Sequence, residues 1–208
     1  MSGTAPAVRT AAPRDRLRGR DFINIGIFSA IYFVLNFVFM LAGGIHPIMW
    51  ILMPALIALT TGIPFLLMCV RVPKPGAVIV MGLITGIIYF ATGMFTPLII
   101  GMMAASCVVA EAVRWGTRYL SFAGNTAAFA VFSLGMCGSP LPLWVFRDSF
   151  LTQIADQGMS ADYLASLEAL SGTGTLVLMF AATIVLAVVG AVIAKKMFSK
   201  HLERAGLA

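Results

Sequence analysis

Seven polar or aromatic side chains in or beside apolar runs are candidates for binding a ligand: Asn36, His46, Trp50, Tyr89, Trp144, Arg147 and Asp148. Arg147 and Asp148 lie in SPLPLWVFRDSFL, Ser139 to Leu151, at the end of a long apolar stretch in a chain that is only 11% charged. A guanidinium presents a planar fork matched to carboxylate or phosphate. Aromatic rings add flat apolar faces, and Tyr and Trp add one polar handle each. Such a set suits the binding of a small planar, anionic molecule, and many others as well. It lacks the catalytic groups that intramembrane enzymes place at depth. Only two histidines exist, His46 and His201, so an intramembrane Ser–His protease has no buried base. HExxH is absent, and so is GxxxxGK[ST], which leaves no zinc-protease helix and no P-loop route to ATP hydrolysis. No span holds the paired carboxylates of a proton relay, because Glu111 lies near one end of its run. Any uphill movement must draw on another subunit.

The elements that position these residues follow from composition. Of 208 residues 60% are hydrophobic, and the mean hydropathy of +0.98 lies outside the range of soluble domains. A span needs about 20 apolar residues, and six runs qualify: Phe22–Leu41, Pro47–Val70, Gly76–Thr92, Pro97–Val113, Phe122–Phe146 and Thr173–Ala194. Each must be helical, because hydrocarbon offers no partner to an open strand. The expected fold is therefore an all-α integral membrane protein of six transmembrane helices. Residues 1–20 read as a disordered basic cytoplasmic tail, 21–198 as the six-helix membrane domain and 199–208 as a second cytoplasmic tail. The N-terminus reads as tail plus first span and not as a secretory signal, since its apolar segment is of full span length.

Cytoplasmic connections retain Lys and Arg. With six spans, thirteen of the fourteen basic residues fall on one side, in the N-terminal segment, beside Arg71 and Lys74, beside Arg114 and Arg118, and in the C-terminal tail. Both termini are then cytoplasmic, and Arg147 stands alone at the outer face. The net charge of +6 reports this orientation, so no nucleic-acid partner is called for. The bilayer itself is the expected partner. Cys69, Cys107 and Cys137 lie in three different runs and read as packing residues, with no disulfide or metal cluster expected.

In this arrangement the polar and aromatic residues concentrate in the outer half: Tyr32 and Asn36 on the first helix, His46 and Trp50 at the start of the second, Tyr89, Thr92 and Thr96 around the third connection, Trp144 and Arg147 after the fifth. Trp and Tyr also form interfacial belts on their own. Asn36 is different, since an amide inside hydrocarbon must face either another helix or a wet cavity. Pro140 and Pro142 stop regular helix in GSPLP, which marks either a cavity wall or the exit from the bilayer. Beyond them Ser160 reads as an N-cap and Leu164, Leu167 and Leu170 as one face of a short amphipathic helix, serving as a lid or as a cap over helix ends. Arg147 is either the counter-charge of an anionic ligand or half of a structural pair with Asp148 or Glu168.

FINIGIFSAIYFVL in the first helix, GIPFLL in the second, LPLWVFRDSF after the fifth and KKMFSKHLERAGLA at the end resemble the Trep_Strep, or MptD-like, group of S components of energy-coupling factor (ECF) transporters. The resemblance implies an S-component-like six-helix bundle that captures a vitamin or similar micronutrient at the outer face of the bacterial cell membrane. It also implies docking onto a transmembrane coupling protein carried by two ATPase subunits, which use the ATP, and no cofactor in this chain. The group docks through a small-xxx-small pair on the first helix, often AxxxA, and here Gly26 and Ala30 stand in that place. Gly82–Gly86 and Gly190–Ala194 share the spacing, which by itself signals only close helix packing.

Two other classes compete with this one. One is a small membrane enzyme acting on a lipid or isoprenoid head group through Arg147 and Asp148, with His46 and Glu168 nearby. The other is an assembly subunit without a ligand. The six-helix topology is checked first: a cysteine placed at Gly44, Thr96 or Gln157 should react with an impermeant reagent from outside, and one at Pro73 or Gly116 only from inside. One connection labelled from the wrong side overturns the count.

Overall fold

The computed structural model describes residues 16–92 and 96–204, and every regular element among them is helical. Helix α1 covers Gly19–Gly43, α2 Pro47–Arg71, α3 Ala77–Ala91, α4 Pro97–Gly116 and α5 Phe122–Ser133. A 3-10 segment, Leu134–Gly138, continues α5. Three short helices follow, α6 Pro142–Val145, α7 Arg147–Asp156 and α8 Ala161–Ala169, before α9 Thr173–Arg204. Helices α2 and α4 begin on Pro47 and Pro97, at positions where a missing N–H costs nothing. The preceding side chains cap them, His46 Nδ1 accepting from Ile48 N at 3.2 Å and Thr96 Oγ1 from Ile99 N at 3.3 Å. Ser160 caps α8 as its sequence position suggests, accepting from Tyr163 N at 3.3 Å.

Four helices are long and apolar enough to cross a membrane: Gly19–Gly43, Pro47–Arg71, Pro97–Gly116 and Thr173–Met197. Shorter apolar helices, Ala77–Ala91 and Phe122–Gly138, occupy the third and fifth expected places. The expected fifth run, Phe122–Phe146, is not one helix. Proline 140 lacks an N–H, and in an α-helix its ring would clash with the carbonyl four residues earlier, that of Met136. The chain tightens to 3-10 at Leu134 and turns before α6. Of the two expected tails, 1–15 and 205–208 lie outside the described residues. Helix begins by Gly19, and α9 runs on through 199–204, the first part of the expected second tail.

Packing centres on α2, which runs between α1 and α9. Its crossing with α9 is backbone against backbone: a Cβ on Gly62 would stand 2.7 Å from the carbonyl carbon of Gly190. Small residues permit this approach, and in lipid the resulting dispersion contact is a main source of helix association. Helix α1 turns Ile25, Ser29, Tyr32 and Asn36 inward, while Ile23, Ile27, Val34 and Val38 face outward. An apolar outer face of this kind suits hydrocarbon and would be a liability in water.

At the end of the bundle that carries Arg71 and Lys74, charged residues close the helix termini. Glu111 and Arg114 are three apart on α4 and share a face. The Glu111 carboxylate accepts from Gly76 N at 2.9 Å and Val78 N at 3.1 Å, at the start of α3. Arg114 donates to Val72 O at 3.2 Å, just past α2, and through Nε to Asn125 Oδ1 at 3.1 Å. An anion thus meets a helix N-terminus and a cation a helix C-terminus, each favoured by the local dipole. Arg114 was expected beside a connection and is instead wholly buried. Tyr119 stacks on its guanidinium at 5.1 Å, and Asn125 Nδ2 holds Tyr119 O at 3.3 Å. These contacts stabilise a turn in which Arg118 and Tyr119 both take positive φ, 58° and 64°, at a cost of about 1–3 kcal/mol each. A Lys74–Asp21 pair at 2.7 Å joins the α2–α3 connection to α1.

The α2–α9 contact predicts a graded response to one added methyl group. Gly190→Ala places a Cβ 2.8 Å from Ala58 O, against immobile backbone, and should destabilise by about 1–3 kcal/mol. Gly101→Ala meets nothing within 4 Å and should cost nothing. Thermal unfolding in detergent compares them, and equal melting temperatures would contradict the packing described.

Candidate functional site

Five of the seven candidate residues fall into two groups, one inside the bundle and one at a cap over its end. The inner group forms on α1, where Ser29, Tyr32 and Asn36 follow at three- and four-residue intervals on one buried face. Asn36 Nδ2 donates to Tyr32 O at 2.8 Å, and its Oδ1 accepts from the Tyr89 hydroxyl of α3 at a long 3.4 Å. The same hydroxyl lies 3.8 Å from Met136 Sδ in the 3-10 segment, a weak contact. Tyr32 packs edge-on against Phe132 with ring centroids 5.4 Å apart, and Phe33 does the same against Tyr89 at 5.7 Å. Ser29 Oγ, fully buried, has no hydrogen-bond partner, and the equally buried Tyr32 hydroxyl faces the Asn36 side chain without making a hydrogen bond of full geometry.

The second group belongs to α6, α7 and α8, which lie over the end of the bundle where α1 meets α2 and α9 begins. Their apolar side seats Leu143, Ile154 and Leu167 on Ile51, Cys137 and Met179. Trp50 stacks on Phe150 of α7, centroids 5.3 Å apart and planes within 8°. The Tyr163 hydroxyl of α8 donates to Gly43 O at 2.9 Å, tying the cap to the end of α1. Burial raises the Tyr163 phenol above its ordinary range, so it remains a donor at neutral pH. Trp144 Nε1 donates to Gly172 O at 3.2 Å, where the cap returns to α9.

Arg147, whose role the sequence left open, pairs with Glu168 of α8 at 2.9 Å. Asp148 points elsewhere, because adjacent residues on a helix diverge by about 100°. It is exposed, on an open acidic surface of α7 with Thr152 and Asp156 on successive turns. His46 is also exposed, and its ring caps α2. The structure therefore joins Asn36 to Tyr89, places Trp144 and Arg147 in the cap with Trp50 of α2 stacked against it, and leaves His46 and, on the cap's outer surface, Asp148 exposed and apart from these contacts.

The 3-10 segment connects the two, with Met136 packed in the inner core and the adjacent Cys137 in the core beneath the cap. Gly135 and Gly138 bring it onto α4: a Cβ on Gly138 would lie 2.8 Å from Ile99 Cα. Tyr32, Met136, Phe150 and Tyr163 join the site in the structure although they were not among the candidates. Tyr32 carried a signal, four residues before Asn36 on the same face. Phe150 and Tyr163 carried none, since their partners lie far away in sequence.

Of the three small-residue pairs noted, Gly82 is closed by Cys107 of α4, and both Gly190 and Ala194 are buried. At Gly26 a Cβ would meet nothing within 4 Å, and Ala30 is exposed. The α1 pair thus lies on the outward face of the bundle.

The Arg147–Glu168 pair is exposed at both partners, 43% and 62%, so its contribution to stability should be at most about 1 kcal/mol. A double-mutant cycle with Arg147→Ala and Glu168→Ala, read by thermal unfolding, should give a coupling energy in that range, with the protein still folded. A coupling of several kcal/mol would contradict the exposure seen.

The family model described as a hypothetical bacterial integral membrane protein, Trep_Strep, matches residues 19–204. No curated protein and no solved structure matches the chain. Matched from the first helix to the end of the last, the chain belongs to the Trep_Strep family of integral membrane proteins of bacteria.

Proposed function

We propose that this protein is the substrate-binding membrane subunit of an ATP-driven importer of the ECF type, taking up a vitamin or similar micronutrient. In this reading all six apolar helices cross the membrane, both termini are cytoplasmic, and the cap of α6–α8 faces outward. Substrate enters from outside beneath the cap. A transmembrane coupling protein with two ATPase subunits supplies the energy that this sequence has no P-loop to provide.

The observation that carries the reading is the open α1 pair. A glycine and an alanine four apart, on an outward face flanked by Ile23, Ile27 and Val34, leave room for a partner helix to approach its backbone closely. Gly82 and Gly190, by contrast, are already filled by this chain's own helices, while Gly86 is open like Gly26 but its pair partner Gly82 is closed. The cap supports the capture half of the reading, since it covers one end of the bundle on an apolar seat, with one ring stack and two hydrogen bonds at its margins. The enzyme alternative has less support, because the structure sets His46 and Asp148 apart from the polar cluster and pairs Arg147 with Glu168.

Docking is tested with Gly26→Leu and Ala30→Leu. Either side chain should block close approach and abolish co-purification of the coupling protein and its ATPases from cells expressing the whole module, while leaving the protein folded. Undiminished co-purification with both variants would remove α1 as the docking helix.

A further inference from the structure

The inner polar cluster says something about the substrate, on the reading just proposed. Tyr32 lies about 20 Å along α1 at 1.5 Å per residue, well inside the apolar bundle. A buried hydroxyl without a well-formed hydrogen bond forfeits hydration for little return, and here Ser29 has no partner and Tyr32 only a poorly aligned approach to Asn36, both on one helix face. Asn36 uses one of its two N–H donors, and its oxygen receives only a bond of 3.4 Å. Unspent hydrogen-bonding capacity therefore accumulates at Tyr32, Asn36 and Tyr89. Across from it α5 gives way to the 3-10 segment, with Phe132 against Tyr32 and Met136 at the Tyr89 hydroxyl. Irregular backbone at this depth is tolerated where protein buries it or where it lines a site. Methionine, unbranched and flexible, is the side chain best able to move aside for an occupant.

No formal charge is available at this place. Among the described residues the buried charged side chains are Asp21, Glu111 and Arg114, all engaged at the opposite end of the bundle. The cap's arginine is neutralised by Glu168. An ionised substrate would enter this cluster without a counter-charge, at a prohibitive desolvation cost.

We infer that the substrate is an uncharged molecule whose hydrogen-bonding head, an amide, lactam or hydroxyl, is held by Tyr32, Asn36 and Tyr89 between the rings of Phe33 and Phe132. Tyr32 accepts from or donates to that head, Asn36 turns its second N–H from the Tyr32 hydroxyl to it, and Met136 yields the space. Arg147 latches α7 to α8 and does not touch the substrate.

The test uses the full-length protein in detergent and a methanol extract of the source cells, divided by mixed-bed ion exchange into uncharged flow-through and charged eluate. The flow-through should raise the melting temperature, and the stabilising compound isolated from it should bind Tyr32→Phe about tenfold more weakly, the scale of one hydrogen bond. The ligand-free melting temperature of Tyr32→Phe should stay the same or rise, because the variant removes a poorly bonded hydroxyl. A merely structural tyrosine would not show that combination. Tyr89→Phe provides a second reading should Tyr32→Phe fold poorly, and Arg147→Ala should keep the full response. Stabilisation by the charged eluate alone, equal affinity in wild type and both tyrosine variants, or loss of the response in Arg147→Ala would each overturn the inference while leaving a binding subunit standing. No stabilisation by either fraction would remove both the inference and the reading on which it rests.

Discussion

Because Pro140 cannot donate a hydrogen bond and its ring excludes the carbonyl of Met136 from a regular helix, α5 ends at Ser133 and the chain must seat an irregular segment inside an apolar bundle. It does so through two glycines. Gly135 and Gly138 let Leu134–Gly138 lie against α4 at backbone distance, so the break is covered by protein and not by lipid. Its placement then governs what surrounds it. Met136 and Phe132 become one wall of the polar cluster, while Cys137 and Leu143 start the apolar floor on which the cap rests.

Polar groups are distributed by kind. Full charges sit at the ends of helices, where Glu111 and Arg114 meet N–H and carbonyl groups left over by α3 and α2. Away from the helix ends, the buried polar groups among the described residues are neutral: hydroxyls, the Asn36 amide and thiols. Buried ions without partners would be far more costly than a few unmet hydroxyls. A bundle arranged in this way can open and close around a neutral molecule without moving charge through hydrocarbon.

Much of the fold was legible because its determinants are local. Apolar run length located the helices, Pro47 and Pro97 marked two starts, and Ser160 with Leu164, Leu167 and Leu170 located α8. The break after Ser133 was foreshadowed by GSPLP, but the helix yields six residues before Pro140, a retreat set by how the glycines fit α4. Arg114 was counted with the solvated basic residues because sequence shows charge and not burial; only packing reveals the α2 carbonyls it serves. The site was half legible for the same reason. Asn36 and Tyr89 stood out as polar residues in apolar runs, and they do meet. The partners of Trp50, Tyr163 and Arg147 depend on how the cap folds back, which no spacing along the chain encodes.

On the proposed reading this chain, by itself, is a receptor for one small molecule held under its cap. Native mass spectrometry of the gently purified full-length protein addresses that most directly. The account predicts a single small-molecule adduct at one per chain, released intact and chemically unchanged on collisional activation. A chain that is bare under every gentle extraction, or one that converts the bound molecule to a product, would contradict it.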